Sequence, residues 1–155
     1  MALIELETLI AAPLERCFDL SLSVELHLDS TAKTGEHVVA GVSSGVLRQG
    51  DCVTWEARHL GRRFRLAVQV MTYDRPRQFR DEQVTGPFRR MAHDHSFEPR
   101  AEGTCMRDHF DFATWAPPLD RFVLLPHLRR LLIERNAAIK SAAEADGWRQ
   151  YLEPA

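Results

Sequence analysis

The sequence predicts an α+β domain in which a curved, seven-stranded antiparallel sheet wraps around one long C-terminal helix. Apolar and polar residues alternate with a period of two over most of the chain before residue 115. After Pro117-Pro118 the apolar period becomes helical. Short Gly-, Pro- and Asp-containing breaks separate the strands, and connections this short imply antiparallel hairpins. A sheet with one apolar face needs a cover, and the long amphipathic helix is the element large enough to supply it.

The N-terminal segment predicts one strand followed by two short helices. Residues 3–10 alternate as a half-buried strand does. Pro13 suits the first turn of a helix, which we place at 13–21. Ser23 can cap a second short helix that runs to about Thr31.

Six further strands follow, separated by recognisable turn compositions such as Asp74-Arg75-Pro76 and Gly86-Pro87. We predict them at about 36–43, 51–59, 63–73, 77–85, 89–98 and 104–114.

The C-terminal helix is predicted over about 118–146. One helical face carries its apolar residues: Leu124, Leu128, Leu131, Leu132, Ile139, Ala142 and Ala143. We expect a kink or a restart at Pro126, because proline lacks the helical N–H, and we expect Gly147 to end the helix.

Bulk properties narrow the class of protein. The 155 residues fit a single domain, 1–155, and a formal charge of −2 argues against a nucleic-acid partner. Three scattered cysteines suggest a reducing compartment, and neither a signal peptide nor a membrane-spanning segment is evident, so we expect a cytoplasmic protein. No phosphate-binding glycine motif or Ser-His-Asp arrangement stands out, and no cofactor is predicted. The oligomeric state is not specified by the sequence.

Polar side chains interrupt the apolar inner face of two strands. Met91, His93, His95 and Phe97 share one face of strand 89–98, and Met106, Asp108, Phe110 and Phe112 share one face of strand 104–114. If 98–103 is the turn, His93 pairs with Asp108 and His95 pairs with Met106.

The neighbouring strands extend the same face. Trp55 and His59 on one strand share a face with Phe64 on the next, across a turn at residues 60–63. Asp81 and Gln83 face inward on strand 77–85, and we expect Asp81 to pair with a neighbouring Arg or His. Because each unpaired buried polar group costs on the order of 1–3 kcal/mol, these groups must satisfy one another or meet a ligand and water.

Several of these residues carry a family resemblance. Gly86-Pro87-Phe88, the His93-x-His95-x-Phe97 run, and the Thr104-x-Met106-x-Asp108-x-Phe110 run resemble the START-like, or SRPBCC, superfamily. Within it, the chain looks most like a bacterial ligand-binding subgroup described as polyketide cyclase/dehydrase-like. Further matching pieces are Leu26-His27-x-x-Ser30, Gly35-Glu36, Val53-Thr54-Trp55, His59-x-Gly61, Phe79-x-Asp81 and Arg135-Asn136.

The resemblance runs from about Leu6 to Glu144 and implies a helix-grip fold with a ligand cavity between the sheet and the C-terminal helix. It places His27 near the entrance of that cavity. The chain departs from the pattern at the turn from Trp115 to Leu119 and at Met91, where an aromatic residue is common.

We therefore predict binding of a small hydrophobic molecule of the lipid, isoprenoid or aromatic polyketide type. The predicted ligand-binding residues are His27, Trp55, His59, Phe64, Asp81, Gln83, Met91, His95, Phe97, Met106, Phe110 and Leu132. The alternative is a cyclase- or dehydratase-type enzyme in which His93 and Asp108 act as an acid/base pair.

The His93-x-His95 pair admits three interpretations. With Asp108 it could form a two-histidine, one-carboxylate metal site, an acid/base pair, or a buried structural pair that hydrogen-bonds a ligand. We assign no metal to it. The other histidines, His37, His109 and His127, are predicted to be exposed.

Overall fold

The computed structural model describes residues 2–153 and contains the predicted elements in the predicted order. The strands are β1 (Ala2–Ile10), β2 (His37–Gly41), β3 (Cys52–His59), β4 (Arg62–Asp74), β5 (Gln78–Thr85), β6 (Arg90–Arg100) and β7 (Gly103–Ala113). The longer helices are α1 (Leu14–Ser21), α2 (Val24–Ser30) and α3 (Leu125–Glu144), and a short helix α4 (Arg149–Leu152) follows. A helical turn at Pro117–Leu119 and a π-helical segment at Asp120–Leu124 lead directly into α3.

The seven strands form one antiparallel sheet in the order β1-β7-β6-β5-β4-β3-β2. Register shifts within β4–β5 and β2–β3 act as bulges that increase the local twist and bend. Helix α3 packs against β1, α1 and α2, so the concave face of the sheet is turned toward it. The architecture is the helix-grip arrangement expected from the sequence.

The two short helices begin where the sequence places them. Pro13 precedes α1 in an extended conformation, and the Ser23 hydroxyl accepts a hydrogen bond from the Leu26 N–H at 3.2 Å to cap α2. Among residues 2–153, no helix combines the length and the apolar character needed to cross a membrane.

The predicted register of the β6–β7 hairpin is wrong by two residues. Arg100 pairs with Gly103, so the turn contains only two residues, and His95 lies opposite Asp108 while His93 lies opposite Phe110. Gly103 has φ +143°, a conformation that favours glycine and permits the tight connection. Because the shift is even, every side chain keeps its predicted face.

The β3–β4 turn is also shorter than predicted. His59 pairs with Arg62, which leaves Leu60 and Gly61 as the turn instead of residues 60–63. The predicted inner face is again preserved, since Trp55 lies opposite Leu66 and Ala57 opposite Phe64.

The C-terminal helical segment begins at Pro117, within one residue of the prediction, but ends earlier than predicted. A wide, π-type turn at Asp120–Leu124 precedes α3, and Pro126 lies in the first turn of α3; the widened turn accommodates a residue that has no N–H to donate. The helix ends at Glu144 rather than at Gly147, because Ala145 becomes extended and the Glu144 carboxylate accepts a hydrogen bond from the Ala11 N–H at 2.8 Å.

The space between the sheet and α3 is filled at one end only. In the packed half, Phe18 of α1 is fully buried and meets Tyr73, Phe79 and Phe97 edge to face, with ring centroids 5.4 Å apart. In the hollow half, apolar side chains on the concave face and on the first turns of α3 remain partly exposed: Phe64, Leu66, Leu124, Leu128 and Leu132.

A cavity between the sheet and the C-terminal helix

The hollow half encloses a cavity of about 630 Å³. Its walls come from the concave faces of β3 to β7, from α2, and from the first half of α3. The following residues predicted from the sequence line it: His27, Trp55, His59, Phe64, Asp81, Met91, His93, His95, Phe110 and Leu132.

Four predicted site residues are not among the lining residues of the described chain. Phe97 and Met106 lie in the packed half, where Phe97 meets Phe18 and the Met106 sulfur accepts a contact from the Ser21 hydroxyl at 3.6 Å. Sequence periodicity assigns these side chains to the correct face but cannot tell which half of that face is filled.

Gln83 and Asp108 are the other two. The Gln83 amide donates to the Phe88 carbonyl at 2.7 Å and accepts from the Phe88 N–H at 3.1 Å, so it holds the β5–β6 loop. Asp108 is 2% exposed and lies behind the histidines rather than in the wall.

At the inner end of the cavity, four side chains form what we call the His–Asp cluster: Asp81, His93, His95 and Asp108. His93 Nε2 donates to Asp108 Oδ1 at 2.7 Å, and His95 Nε2 donates to Asp81 Oδ2 at 3.0 Å. The expected pairing of Asp81 with a histidine is therefore confirmed, and the predicted contact of His93 with Asp108 forms despite the changed register.

Asp108 is anchored from the helix. Asn136 Nδ2 donates to Asp108 Oδ2 at 2.6 Å, while Arg135 donates to the Asn136 side chain at 3.1 Å and to the Ser21 carbonyl at 3.1 Å. Burial alone would raise the pKa of Asp108, but the hydrogen bond from His93 and the nearby Arg135 hold it well below its usual range. The carboxylate is therefore charged and has three neighbouring donor groups to stabilise it.

The two histidine rings lie in an aromatic stack. His95 stacks on Phe79 with centroids 4.0 Å apart and on His93 at 3.7 Å, and Phe110 meets His93 edge-on at 5.1 Å. Burial, followed by the neighbouring His93, lowers the pKa of His95 to about 4, although the Asp81 carboxylate acts in the opposite direction.

His95 consequently carries one ring proton at neutral pH, and its hydrogen bond to Asp81 uses it. Its Nδ1 is the buried side-chain polar atom in residues 2–153 for which no hydrogen-bond partner is found. The nearest carboxylate oxygen, Asp108 Oδ1, lies 3.5 Å away. An orphaned buried nitrogen of this kind calls for an explanation.

Elsewhere in the cavity wall, two further pairs connect separate elements. His27 of α2 stacks on Trp55 at 4.1 Å and hydrogen-bonds the Glu36 carboxylate. His59 Nδ1 lies 3.0 Å from Nε2 of His127 on α3. His127, which the sequence analysis predicted to be exposed, is half-buried and lines the cavity, because the first turns of α3 lie over the end of β3.

Sequence reasoning also assigned no role to Arg135 and Asn136. Both are buried, on the face of α3 that otherwise carries apolar residues. Adjacent polar residues within an apolar helical stripe were a usable signal, since such residues need partners across the interface.

Comparisons with known proteins identify the fold. No family model matches the chain, and no curated protein sequence matches it. The structure of TTHA0849 from Thermus thermophilus is 20% identical, covers 92% of this chain and 99% of its own, and superposes with a TM-score of 0.70.

Two other similar structures come from different sources. The major latex-like protein 151 of Panax ginseng is 13% identical and covers 93% of this chain and 98% of its own, with a TM-score of 0.69. CV1439 from Chromobacterium violaceum is 15% identical and covers 93% and 99%, with a TM-score of 0.68. This chain therefore has the helix-grip fold that these proteins share.

Proposed function

We propose that this chain binds a small hydrophobic molecule, of the lipid, isoprenoid or aromatic polyketide type, in the cavity between the sheet and α3. The observation that carries the proposal is a cavity of about 630 Å³ with mainly apolar walls and one polar cluster at its inner end. Sites for small organic ligands combine this range of volume with few, convergent polar groups. Proteins of this fold generally bind ligands.

The apolar walls supply the driving force. Phe64, Leu66 and Leu128 face the cavity without reaching full burial, although they lie on the side of the sheet and helix that forms the core elsewhere. Complete burial of one such side chain contributes about 1.5–3 kcal/mol. An apolar ligand would complete their burial, which the fold alone does not.

The polar cluster supplies orientation. His93 uses Nε2 to bind Asp108, so its Nδ1 is the ring nitrogen left for a ligand, and Asp81 offers a carboxylate beside it. A hydroxyl or carbonyl group on an otherwise apolar molecule would be held at this end, with the apolar part directed toward the mouth.

Native mass spectrometry of the purified chain, together with an organic extract of the same sample, tests the proposal. We expect a retained organic adduct that Ala57→Phe abolishes, because Ala57 lines the cavity and the larger side chain would fill it. Ala67→Phe is the matched control, since Ala67 is the neighbour of two inward residues on β4 and lies on the opposite face. Equal adduct on both variants would contradict binding in this cavity.

One observation favours a second candidate, an enzyme of the cyclase or dehydratase type. Asp108 holds His93 by a 2.7 Å hydrogen bond and leaves Nδ1 facing the cavity, which is the arrangement of an oriented general base. His93 would take a proton beside a carbonyl group of the bound molecule and return it to the departing hydroxyl, which leaves as water.

The organic extract distinguishes the two candidates. If the chain dehydrates its ligand, His93→Gln should retain a molecule heavier by one water than the molecule retained by the unaltered chain. Retention of the same molecule by both proteins would exclude dehydration and leave the binding function.

A further inference from the structure

Three side chains that commonly bind metals converge at the inner end of the cavity. Asp81, His93 and His95 each offer one ligand atom, and these atoms all lie within 4.8 Å of one another. In a tetrahedral site with bonds of about 2.0–2.2 Å, ligand atoms are about 3.4 Å apart. His95 Nε2 and Asp81 Oδ2, at 3.0 Å, are already closer than that, so small side-chain rotations would complete the site.

The position of Asp108 determines which nitrogen of each histidine ring faces the space between Asp81, His93 and His95. Its Oδ1 lies 2.7 Å from His93 Nε2 and 3.5 Å from His95 Nδ1, so one edge of each stacked ring faces the same carboxylate. The two nitrogens of an imidazole point in nearly opposite directions. His93 Nδ1 and His95 Nε2 therefore both point away from Asp108, toward the side where Asp81 lies.

Asp108 has the position of a supporting carboxylate rather than of a ligand. Histidines that bind metals usually donate their other N–H to a carboxylate, which fixes the tautomer and the orientation of the ring. Asp108 does this for His93. Asn136 in turn donates to Asp108, and Arg135 donates to the side chain of Asn136. The supporting contacts that such a site needs are therefore already in place.

The orphaned nitrogen of His95 gives an independent indication. With its proton on Nε2, His95 donates a hydrogen bond to Asp81, and its Nδ1 has no hydrogen-bond partner. If Nε2 binds a metal, the single proton of the neutral ring must lie on Nδ1, where it points toward Asp108 Oδ1. Metal binding at Nε2 thus turns His95 Nδ1, which otherwise lacks a partner, into a hydrogen-bond donor that points toward Asp108.

We infer that Asp81, His93 and His95 bind one divalent transition-metal ion at the inner end of the cavity, with its remaining coordination positions open to the cavity. Two imidazoles and one carboxylate suit Zn²⁺ or Fe²⁺ in a site that also accepts an outside ligand. The carboxylate ligand in this inference is Asp81, whereas the metal interpretation drawn from the sequence used Asp108. The inference does not require a hydrophobic ligand, because the three residues converge without one.

Metal binding can be measured on the full chain after chelator treatment and removal of organic extractables. Titration with Co²⁺, followed by visible absorption, and with Zn²⁺, followed by calorimetry, should each show one equivalent bound. Asp81→Asn and His95→Gln should weaken binding at least tenfold. Asp108→Asn should weaken it about 10- to 100-fold, as loss of a supporting carboxylate does.

His109→Gln is the matched control, because His109 lies on β7 beside Asp108 but is exposed on the opposite face. It should bind both metals as the unaltered chain does. Circular dichroism would establish that each variant is folded.

Two results would overturn the inference. One is the absence of a Co²⁺ spectrum and of Zn²⁺ heat in the folded, unaltered chain. The other is a bound metal that survives Asp81→Asn but is lost in His127→Gln, since that would place the ion on the His59–His127 pair. Neither result bears on the retained organic adduct, so failure here and failure of the proposed binding function are distinguishable.

Discussion

His59 Nδ1 lies 3.0 Å from His127 Nε2, and this contact joins the end of β3 to the first turns of α3 in the wall of the cavity. A hydrogen bond between two imidazoles requires a lone pair on one of them, so it cannot survive when both are protonated. Burial lowers the pKa of His59 and of His127. Among the charged neighbours, Arg130 acts in the same direction on the pKa of His127, whereas Glu36 opposes the shift at His59.

The first prediction is a loss of stability in mild acid. Both pKa values lie below that of an unfolded histidine, about 6.5, so below that pH the unfolded chain binds more protons than the folded chain. The contribution of this pair is complete above about pH 6.5 and falls as the pH approaches the folded-state values. Urea unfolding at about pH 7.5 and pH 5.5 should show a larger drop for the unaltered chain than for His127→Gln. Exposed His109→Gln serves as the control, and identical drops in all three proteins would contradict the prediction.

The second prediction concerns the anchor of the His–Asp cluster. Asp108→Ala should lower the free energy of unfolding by about 3–5 kcal/mol, because it leaves buried His93 and Asn136 without their acceptor and buried Arg135 without its nearby counter-charge. Asp94→Ala is the comparison: its partner Arg80 lies on the outer face of the sheet and stays hydrated, so the loss should be much smaller. Urea midpoints with unchanged slopes would measure both, and similar losses would contradict the assigned role of Asp108.

The third prediction separates the two halves of the interior. Phe18→Ala should cost about 3–5 kcal/mol, since Phe18 is fully buried against three aromatic rings. Phe64→Ala should cost clearly less, because that ring faces the cavity and is only partly buried. Thermal and urea unfolding of both variants would test this, and equal losses would mean that the hollow half is packed in solution.

The fourth prediction concerns Gln83, which the sequence analysis had assigned to the ligand. Gln83→Ala should cost about 1 kcal/mol and accelerate hydrogen exchange at the Phe88 amide, because the side chain holds the β5–β6 loop through both of its polar atoms. The amount of organic adduct in native mass spectra should not change. A lost adduct with an unchanged loop would restore the ligand-binding role.

The strand and helix pattern was predictable because each side of an element meets either the core or water. His93, His95 and Asp108 were placed on the inner face for this reason, and all three are buried there. Their pairing across the hairpin was not predictable, because it depends on whether the turn contains two residues or more. An error of two residues preserves the face, so the predicted face was correct although the predicted backbone register was wrong, and the His93 and Asp108 side chains still meet.

The identity of the wall residues could not be read from periodicity. Met106 and Phe110 have the same parity on β7, yet one is packed beneath α1 and the other lines the cavity. The difference depends on where α1 and α3 cross the sheet, and tertiary packing decides that. The same limit applies to His127, whose burial depends on the end of β3 lying beneath it.

The uneven filling of the interior separates what maintains the fold from what would select a ligand. Phe18 and its aromatic neighbours pack tightly at one end of the interior. At the other end, Phe64, Leu66 and Leu128 are only partly buried and contribute less to the packing. Exchanges among such wall residues should therefore cost less stability than exchanges at Phe18, so the shape of the cavity can change while the chain continues to fold.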